Sequence, residues 1–248
     1  MSADTPRGSP RVAVVTGAAR GIGAATVRTL AGAGWRVIAV DRCANDPRVP
    51  YPLGSKDQLA ALAAEHPDRV VDVVADVGDL PALRDTVTVA EDRFGRLDAA
   101  IAAAGIMAGG QPLWETEPED FDALFDVGVH GVANLARATI PALLRRPEPR
   151  SGRFVALASA AAHRGLYHLA GYTAAKHAVI GLIRALAHDL RGTGITATAV
   201  SPGSTHTDML TETARLYHLN SPHDFAQHQL IGRLLEPDEV AATVVRGC

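Results

Sequence analysis

The 248-residue chain has 47% hydrophobic residues, enough to bury a large core, and its 27 acidic and 24 basic residues leave a formal net charge of −3. This near balance argues against nucleic acid or an anionic membrane as the main partner. No segment resembles a membrane span or a signal peptide, and the two cysteines, Cys43 and Cys248, lack the spacing of a zinc site. We therefore expect a cytoplasmic protein without a metal site or a membrane partner.

Short β-branched runs alternate with helical patterns along the chain. They predict strands over residues 11–16, 35–40, 70–74, 97–102, 153–158 and 195–200, and helices over residues 22–33, 55–64, 80–94, 118–144, 172–190 and from about Pro237 onward. Ser55 and Gln58 form a capping box at the start of the second helix. This order is typical of an α/β fold, a doubly wound parallel sheet with helices on both faces. We expect a single domain over residues 11–248, after a flexible N-terminus of residues 1–10.

A glycine-rich sequence, TGAARGIG over residues 16–23, lies where the first strand turns into the first helix. Glycines allow a sharp turn and a close approach of the backbone to a pyrophosphate, and the helix N-terminus supplies free N–H groups. A glycine-rich turn without a ligand is the alternative. The surrounding strand and helix, and an acid 24 residues beyond Gly17, favour a dinucleotide site. Its predicted cofactor contacts are Gly17, Arg20, Gly21, Ile22 and Gly23.

The acid is Asp41, at the end of the second predicted strand. A carboxylate there can accept hydrogen bonds from both adenosine ribose hydroxyls and repels a 2′-phosphate, which favours NAD. A loop aspartate or a helix cap is the alternative interpretation. Arg42 follows directly and could pair with a phosphate, so NADP stays open.

Tyr172 and Lys176 are four residues apart and therefore share one face of a helix. A free tyrosine has a pKa of about 10, and lowering it by about 3 units takes roughly 4 kcal/mol of differential interaction, which a nearby ammonium can supply in part. Ser159 follows a predicted strand, where functional residues gather in open α/β sheets. Its hydroxyl can orient a substrate oxygen toward Tyr172.

These motifs, in this order and together with Ser201-Pro202-Gly203, resemble the short-chain dehydrogenase/reductase family over about residues 11–245. The resemblance implies a Rossmann fold and hydride transfer between NAD(H) and an alcohol/carbonyl pair. It implies Tyr172 as the general acid/base, Lys176 as the ligand of the nicotinamide ribose, and Ser159 as the residue that positions the substrate. The remaining implied cofactor contacts are Asp76 and Val77 beside the adenine, Gly105 beside the ribose, Pro202 and Gly203 under the nicotinamide, Thr205, and Thr207 near the carboxamide.

The chain departs from the family pattern at three places. The family's NNAG is AAAG over residues 102–105, and its catalytic asparagine is replaced by Gly128. Since glycine and asparagine both tolerate unusual backbone angles, the backbone carbonyl can keep its role in proton relay; Asn134 is not counted as a substitute. The chain also stops at Cys248 without the family's last strand. Since the interfaces of the family's usual homotetramer use that region, the short ending leaves the oligomeric state open. We expect a homo-oligomer, either a tetramer or a dimer.

Residues 41–53 form a longer link than the family's usual one, with three prolines, Pro47, Pro50 and Pro52. The link is similar to that of mycofactocin-associated dehydrogenases, including those acting on terpenoid alcohols such as carveol. That resemblance implies NAD(H) that stays bound and is recycled by an external redox partner. An ordinary surface insertion is the alternative.

Residues 204–235 are predicted to form a mobile lid. Its apolar residues indicate an apolar pocket for a secondary alcohol or ketone of modest size, with His168 and His206 as polar substrate contacts; the same residues could instead pack the lid on the core. They are Leu210, Leu216, Tyr217, Phe225 and Leu230. A different class of function also stays open: a non-catalytic dinucleotide sensor or scaffold, favoured by the altered NNAG and the missing asparagine.

Overall fold

The computed structural model describes residues 9–248, so most of the predicted flexible N-terminus lies outside the described residues. Within these described residues, six strands form one parallel sheet in the order β3-β2-β1-β4-β5-β6. They are β1 (Val12–Thr16), β2 (Arg36–Asp41), β3 (Val70–Val74), β4 (Ala99–Ala102), β5 (Arg153–Leu157) and β6 (Thr196–Val200). This strand order is that of the Rossmann fold, and the predicted fold class is confirmed.

Eight α-helices accompany the sheet in the described part of the chain. They are α1 (Gly21–Gly32), α2 (Lys56–Ala64), α3 (Leu80–Phe94), α4 (Pro118–Phe125), α5 (Gly131–Leu144), α6 (Ala170–Asp189), α7 (Asp208–Leu216) and α8 (Pro237–Arg246). The predicted capping box at Ser55 and Gln58 opens α2. None of the described helices combines the length and the apolar character needed to cross a membrane.

The strands alternate their side chains between two apolar cores. Val12 and Val14 face the core under α3, α5 and α6, whereas Ala13 and Val15 face the core under α1, α2 and α8. Because both faces of β1 are covered, the strand is apolar throughout, as is typical of a parallel sheet buried on both sides. The two cores fix where the carboxyl ends of the strands, and the loops after them, come together.

The predicted helix over residues 118–144 is wrong in one respect: it contains a π-helical turn. The residues Asp126–His130 form this turn between α4 and α5, and the N–H of Gly131 donates to the carbonyl of Asp126, five residues back. A π turn accommodates one extra residue without ending the helix. Apolar spacing alone indicated a continuous helix, since a single extra residue shifts the pattern too little to be noticed.

Candidate active site

A cavity of about 1250 Å³ opens at the carboxyl ends of the strands. β1 and β4 are neighbours at its centre, the point where the strand order reverses and where open α/β sheets bind ligands. Many of the predicted site residues line it. These are Gly17, Arg20, Gly21, Ile22, Gly23, Asp41, Arg42, Asp76, Val77, Gly105, Ser159, Tyr172, Lys176, Pro202, Gly203, Thr205 and Thr207.

The turn between β1 and α1 brings two stretches of backbone into close contact. Gly17 has a φ of +67°, and a Cβ there would lie 2.6 Å from the backbone N of Ala104. A Cβ on Gly23 would overlap the carbonyl oxygen of Gly17. The N-cap residue Arg20 does not cap α1 with its side chain. The turn is therefore a cradle lined by backbone, and free N–H groups at the start of α1 favour an anion there.

Asp41 is held at the end of β2 with its carboxylate toward the glycine turn. Its Oδ2 accepts a hydrogen bond from the N–H of Ala19 at 3.1 Å, and its Oδ1 accepts one from the N–H of Cys43 at 3.0 Å. A carboxylate has about four lone-pair positions, so acceptor capacity remains for a ligand. A Cβ on Gly54 would lie 3.0 Å from Oδ1, so this glycine lets the loop pass close to the carboxylate.

Arg42, which lies beside Asp41, is paired with two carboxylates. Its Nη1 donates to Asp46 at 3.0 Å, and its Nε lies 3.4 Å from Asp76. The NADP alternative requires this guanidinium to meet a 2′-phosphate. Asp46 and Asp76 compete with a phosphate for it, so the geometry disfavours that alternative.

The segment after β3 is anchored by Asn134 of α5, a role that the sequence analysis missed. The buried Asn134 amide donates to the carbonyl of Val77 at 3.0 Å and to that of Gly78 at 3.3 Å. Its own carbonyl accepts from Arg137 at 3.0 Å. A polar residue on the apolar face of a helix was the available signal, because a buried amide requires partners.

Tyr172 and Lys176 lie on the cavity face of α6 and are 8% and 7% exposed. Lys176 Nζ donates to the carbonyl of Leu157 at 2.9 Å and lies 5.7 Å from the centroid of the Tyr172 ring. Ser159, two residues beyond β5, accepts a hydrogen bond from the N–H of Ala161 at 3.1 Å through its Oγ. The three side chains thus meet where β5 ends against α6.

Burial shifts the pKa values of both Tyr172 and Lys176. It raises the pKa of the Tyr172 phenol above its ordinary value, and the Ser159 hydroxyl acts in the opposite direction. Burial also lowers the pKa of the Lys176 ammonium to about 8. Both shifts follow from the cost of desolvating a charged form. Lys176 was predicted to favour the phenolate; in this geometry burial dominates and raises the pKa of Tyr172.

Gly128 lies at the centre of the π turn and packs against α6. A Cβ there would lie 3.9 Å from the Cβ of Ala175, which is ordinary contact. Its φ is not positive, so this backbone needs neither glycine nor asparagine. The expected unusual backbone angle is therefore not what this position requires.

The comparisons with known proteins agree with this geometry. A family model described as short chain dehydrogenase matches residues 11–217. The structure of a carveol dehydrogenase from Mycobacterium avium in complex with NAD has a TM-score of 0.90 at 30% identity, covering 98% of this chain and 92% of that one. A short chain dehydrogenase from Mycobacterium paratuberculosis bound to NAD has a TM-score of 0.85 at 34% identity, over 96% and 90%. Levodione reductase of Leifsonia aquatica is 32% identical over 248 residues, 98% of this chain and 89% of its own.

The chain belongs to the short-chain dehydrogenase family. The predicted family is confirmed, and with it the prediction of an oxidoreductase. The residues present also fit a dinucleotide: side chains are excluded at Gly17 and Gly23, and an oriented carboxylate, Asp41, stands beside them.

In this short-chain dehydrogenase, the segment predicted to be a lid, residues 204–235, is closed on itself by one bridge and hydrogen-bonded to the glycine turn. Its ends meet at a parallel bridge between Thr205 and Leu235. Asp208, the first residue of α7, accepts a hydrogen bond from Arg20 of the glycine turn at 2.9 Å. Of the predicted apolar lid residues, Leu216 does not line the cavity but packs toward Gly110; the others do line it, namely Leu210, Tyr217, Phe225 and Leu230.

The two histidines predicted as substrate contacts do not line the cavity, which corrects that expectation. His168 has a φ of +54° and stacks on Tyr167 at 3.6 Å between ring centroids. His206 belongs to the bridged end of the lid and lies 3.7 Å from Glu236. Neither imidazole belongs to the cavity lining, which sequence spacing did not indicate.

Two other histidines, His163 and His228, line the cavity of this dehydrogenase. His163, four residues after Ser159, shares a hydrogen bond of 2.9 Å between its Nε2 and Ser201 Oγ. His163 was not predicted as a site residue. Its position four residues after Ser159 was the available signal.

Proposed function

We propose that this chain is an NAD-dependent oxidoreductase of secondary alcohols and ketones in which Tyr172 is the general acid/base. One observation carries the proposal: Ser159, Tyr172 and Lys176 face the same cavity as the glycine cradle and Asp41. A bound nicotinamide supplies or accepts the hydride. The residues of the chain bind and orient the cofactor and the substrate, and they move the proton.

Tyr172 donates the proton to the carbonyl oxygen in reduction and removes it from the hydroxyl in oxidation. Because burial alone raises its pKa, the phenol is a proton donor in the absence of added positive charge. Lys176 carries that charge nearby; its pKa of about 8 keeps it mostly protonated at neutral pH. Its hydrogen bond to the carbonyl of Leu157 keeps the ammonium within the cavity, where it would bind the nicotinamide ribose.

Ser159 positions the substrate oxygen. Its Oγ already accepts a hydrogen bond from Ala161, so its hydroxyl proton is directed elsewhere and can be donated to an oxygen held near Tyr172. The interaction of Ser159 with Tyr172 lowers the pKa of the phenol, which supports a shared oxygen site between the two.

NAD is the cofactor that this cavity favours over NADP. The Asp41 carboxylate is oriented by two backbone N–H groups at the end of β2, where it can accept from a ribose diol. Arg42 is paired with Asp46 and Asp76. The remaining predicted contacts, including Asp76, Val77, Gly105, Pro202, Gly203, Thr205 and Thr207, line the same cavity, and their individual roles stay proposals.

The substrate is an apolar secondary alcohol or ketone of modest size. Lid residues Leu210, Tyr217, Phe225 and Leu230 give its end of the cavity an apolar lining. Carveol and levodione, after which two relatives are named, belong to this chemical class. We propose that residues 204–235 open and close as a mobile lid, and that the single domain of residues 11–248 forms a homotetramer or dimer in the cytoplasm.

We further propose that NAD(H) stays bound and is reoxidised by an external redox partner, as in mycofactocin-associated enzymes. The insertion supports this in part: Leu53 and Gly54 line the cavity next to Asp41. Val49 and Tyr51 pack on an apolar cluster of the body of the protein, and Tyr51 Oη accepts from the N–H of Met107 at 2.7 Å. An anchored insertion retards cofactor release, since affinity differences appear mostly in dissociation rate.

Two measurements test the proposal. The first is the NAD(H) content of desalted protein, determined by mass spectrometry after denaturation; an empty site that exchanges NAD rapidly removes the sequestration but not the dehydrogenase. The second is turnover of a panel of secondary alcohols with NAD, with and without an artificial electron acceptor, followed by the absorbance of NADH or of the acceptor. If every alcohol and ketone of the panel is inert under both conditions, the proposed function is wrong.

A further inference from the structure

Five side chains of alternating charge form one chain of ion pairs along the insertion after β2. Arg42 joins Asp76 at 3.4 Å to Asp46 at 3.0 Å, and Arg48 joins Asp46 at 2.9 Å to Asp126 at 2.7 Å. This ion chain begins beside the cofactor cavity, because Arg42 and Asp76 line it. It ends at the first residue of the π turn, 78 positions after Arg48.

The middle of the ion chain is rigid. The Asp46 side chain is 3% exposed, and Arg48 binds it through the backbone N–H and Nε, each at 3.0 Å to Oδ1, and through Nη2 to Oδ2. Arg48 thereby holds the pKa of Asp46 well below its usual range. A buried carboxylate with this many donors is costly to unpair, so the guanidinium of Arg48 stays in place.

The far end of the ion chain holds the π turn, whose backbone is flexible without this contact. A glycine inside a helix costs about 1 kcal/mol relative to alanine because its backbone is freer, and Gly128 occupies the middle of the π turn. Gly128 has no side chain that could hold the turn in place. The carboxylate of Asp126 does so instead, by accepting a hydrogen bond from Nη1 of Arg48.

The π turn is the surface against which the reacting part of α6 packs. Gly128 faces Ala175, which lies between Tyr172 and Lys176 on that helix. A shift of the turn therefore moves the helix face that carries the proposed acid/base. The insertion reaches the same region from another side, since Val49 belongs to the apolar cluster that contains Tyr172 and Ala175.

The geometry points to Arg48 as a positioning residue: it holds the π turn against α6 and thereby couples the adenosine end of the cavity to Tyr172 and Lys176. Arg48 lies outside the cavity lining and touches no reacting atom. It acts through Asp126 on one side and through Asp46 and Arg42 on the other. The kinetic part of this inference rests on the proposed function, but the structural part does not.

The direct test compares wild type with Arg48→Met by hydrogen–deuterium exchange and by kinetics. We expect amides of residues 125–131 to exchange faster, by about tenfold, because the turn opens locally when its fastening is lost. We expect kcat to fall about tenfold with the KM of the alcohol little changed, since misplacement of reacting groups slows chemistry more than binding. Arg28→Met is the matched control, because it breaks the exposed Arg28–Glu65 pair and should leave both readouts unchanged.

Milder variants separate positioning from general destabilisation. Asp126 is half-exposed, so Asp126→Asn should leave the fold and the affinity for NAD intact while speeding exchange in the turn and lowering kcat. Arg48→Met should in addition weaken NAD, because it also disturbs Asp46 and Arg42. Arg48→Lys should recover part of the kcat that Arg48→Met loses. Gly128→Ala fits beside Ala175; in the Asp126→Asn background it should stiffen the turn and restore kcat.

Unchanged exchange over residues 125–131 in both Arg48→Met and Asp126→Asn overturns the inference. So does faster exchange spread evenly over the whole protein with no change confined to the turn, since that is a loss of stability. If the wild type is inert on every substrate, the proposed function has failed, and the exchange measurement still decides the positioning role.

Discussion

At the adenosine end of the cavity, Asp41, Arg42 and Asp76 are partly exposed and bound to other charges or to backbone N–H groups. At the catalytic end, Tyr172 and Lys176 are almost fully buried, and burial shifts both of their pKa values. In the proposed function, the first end selects the cofactor through the charges that it presents. The second end tunes the reactivity of Tyr172 and Lys176 by excluding water, because desolvation acts on the charged form of each group.

This contrast explains why changes at the two ends should differ in kind. A substitution at the exposed end redistributes binding between cofactors, since solvent and neighbouring ions screen the change. A substitution at the buried end alters the barrier to chemistry or the stability of the fold, since nothing screens it. The following predictions test that division, beginning with the largest effect.

Removing the phenol at the buried end should have the largest effect. Tyr172→Phe keeps the ring but removes the proton donor, so we expect kcat to fall by about 10³-fold or more while NAD binding and the fold persist. Tyr217→Phe, the same change on a tyrosine that also lines the cavity, is the control. Wild-type turnover in the Tyr172 variant would show that another group moves the proton.

The buried ammonium should make stability depend on pH. The pKa of Lys176 is about 8 in the folded protein, below its ordinary 10.5, so between these values the unfolded chain holds more protons and the free energy of unfolding rises with pH. From pH 7 to about 9.5 this rise is at most about 2 kcal/mol. The Cys43 and Cys248 thiols, whose pKa burial raises to about 11, oppose part of this rise from about pH 9, and Tyr172, with its raised pKa, opposes it above about pH 10.

Urea unfolding at several pH values measures this effect. We expect Lys176→Met to lose the rise and Lys56→Met, at the chain's other lysine, to keep it. Equal pH dependence in wild type and Lys176→Met would mean that the folded protein does not depress the pKa of Lys176.

Removing the carboxylate at the exposed end should shift cofactor preference without stopping chemistry. Asp41→Ala is expected to weaken NAD more than NADP, narrowing the ratio of their kcat/KM values by about tenfold through the lost hydrogen bonds to the ribose. Asp41→Asn is a second variant, which preserves the shape of the side chain. Asp57→Ala is the control, because Asp57 is an exposed aspartate of α2. A wild type that prefers NADP would instead show that Arg42 leaves Asp46 and Asp76 to bind the phosphate.

The smallest effect is expected between the two ends, at the π turn. Gly128→Asn should leave turnover within about twofold of wild type or raise it, because a Cβ meets only ordinary contact there and a side chain lowers the freedom of the unfolded backbone. Steady-state kinetics on the folded variant checks this. A large loss of turnover in a variant with normal stability would mean that the bare backbone at Gly128 is itself needed.

Local sequence was sufficient for most of the fold. The β-branched runs predicted all six strands, and β3 and α3 have the bounds that were predicted, because alternation and helical spacing reflect burial against a core that the segment itself helps to form. The glycine turn, Asp41 and the Tyr172–Lys176 pair were equally local signals. Each consists of residues whose spacing fixes their relation before any tertiary contact forms.

Tertiary structure decided what depends on distant partners. Arg48 meets Asp126 across 78 positions and Arg20 meets Asp208 across 188, and no local pattern selects one carboxylate among many. The same holds for Asn134, whose amide binds the carbonyl of Val77, and for His206, which lies beside Glu236 and outside the cavity lining. The sequence by itself determined the fold and the kinds of side chain that are proposed to react. The packing of remote segments decided their protonation, their partners and which of them reach the cavity, because burial and pairing are properties of the assembled chain.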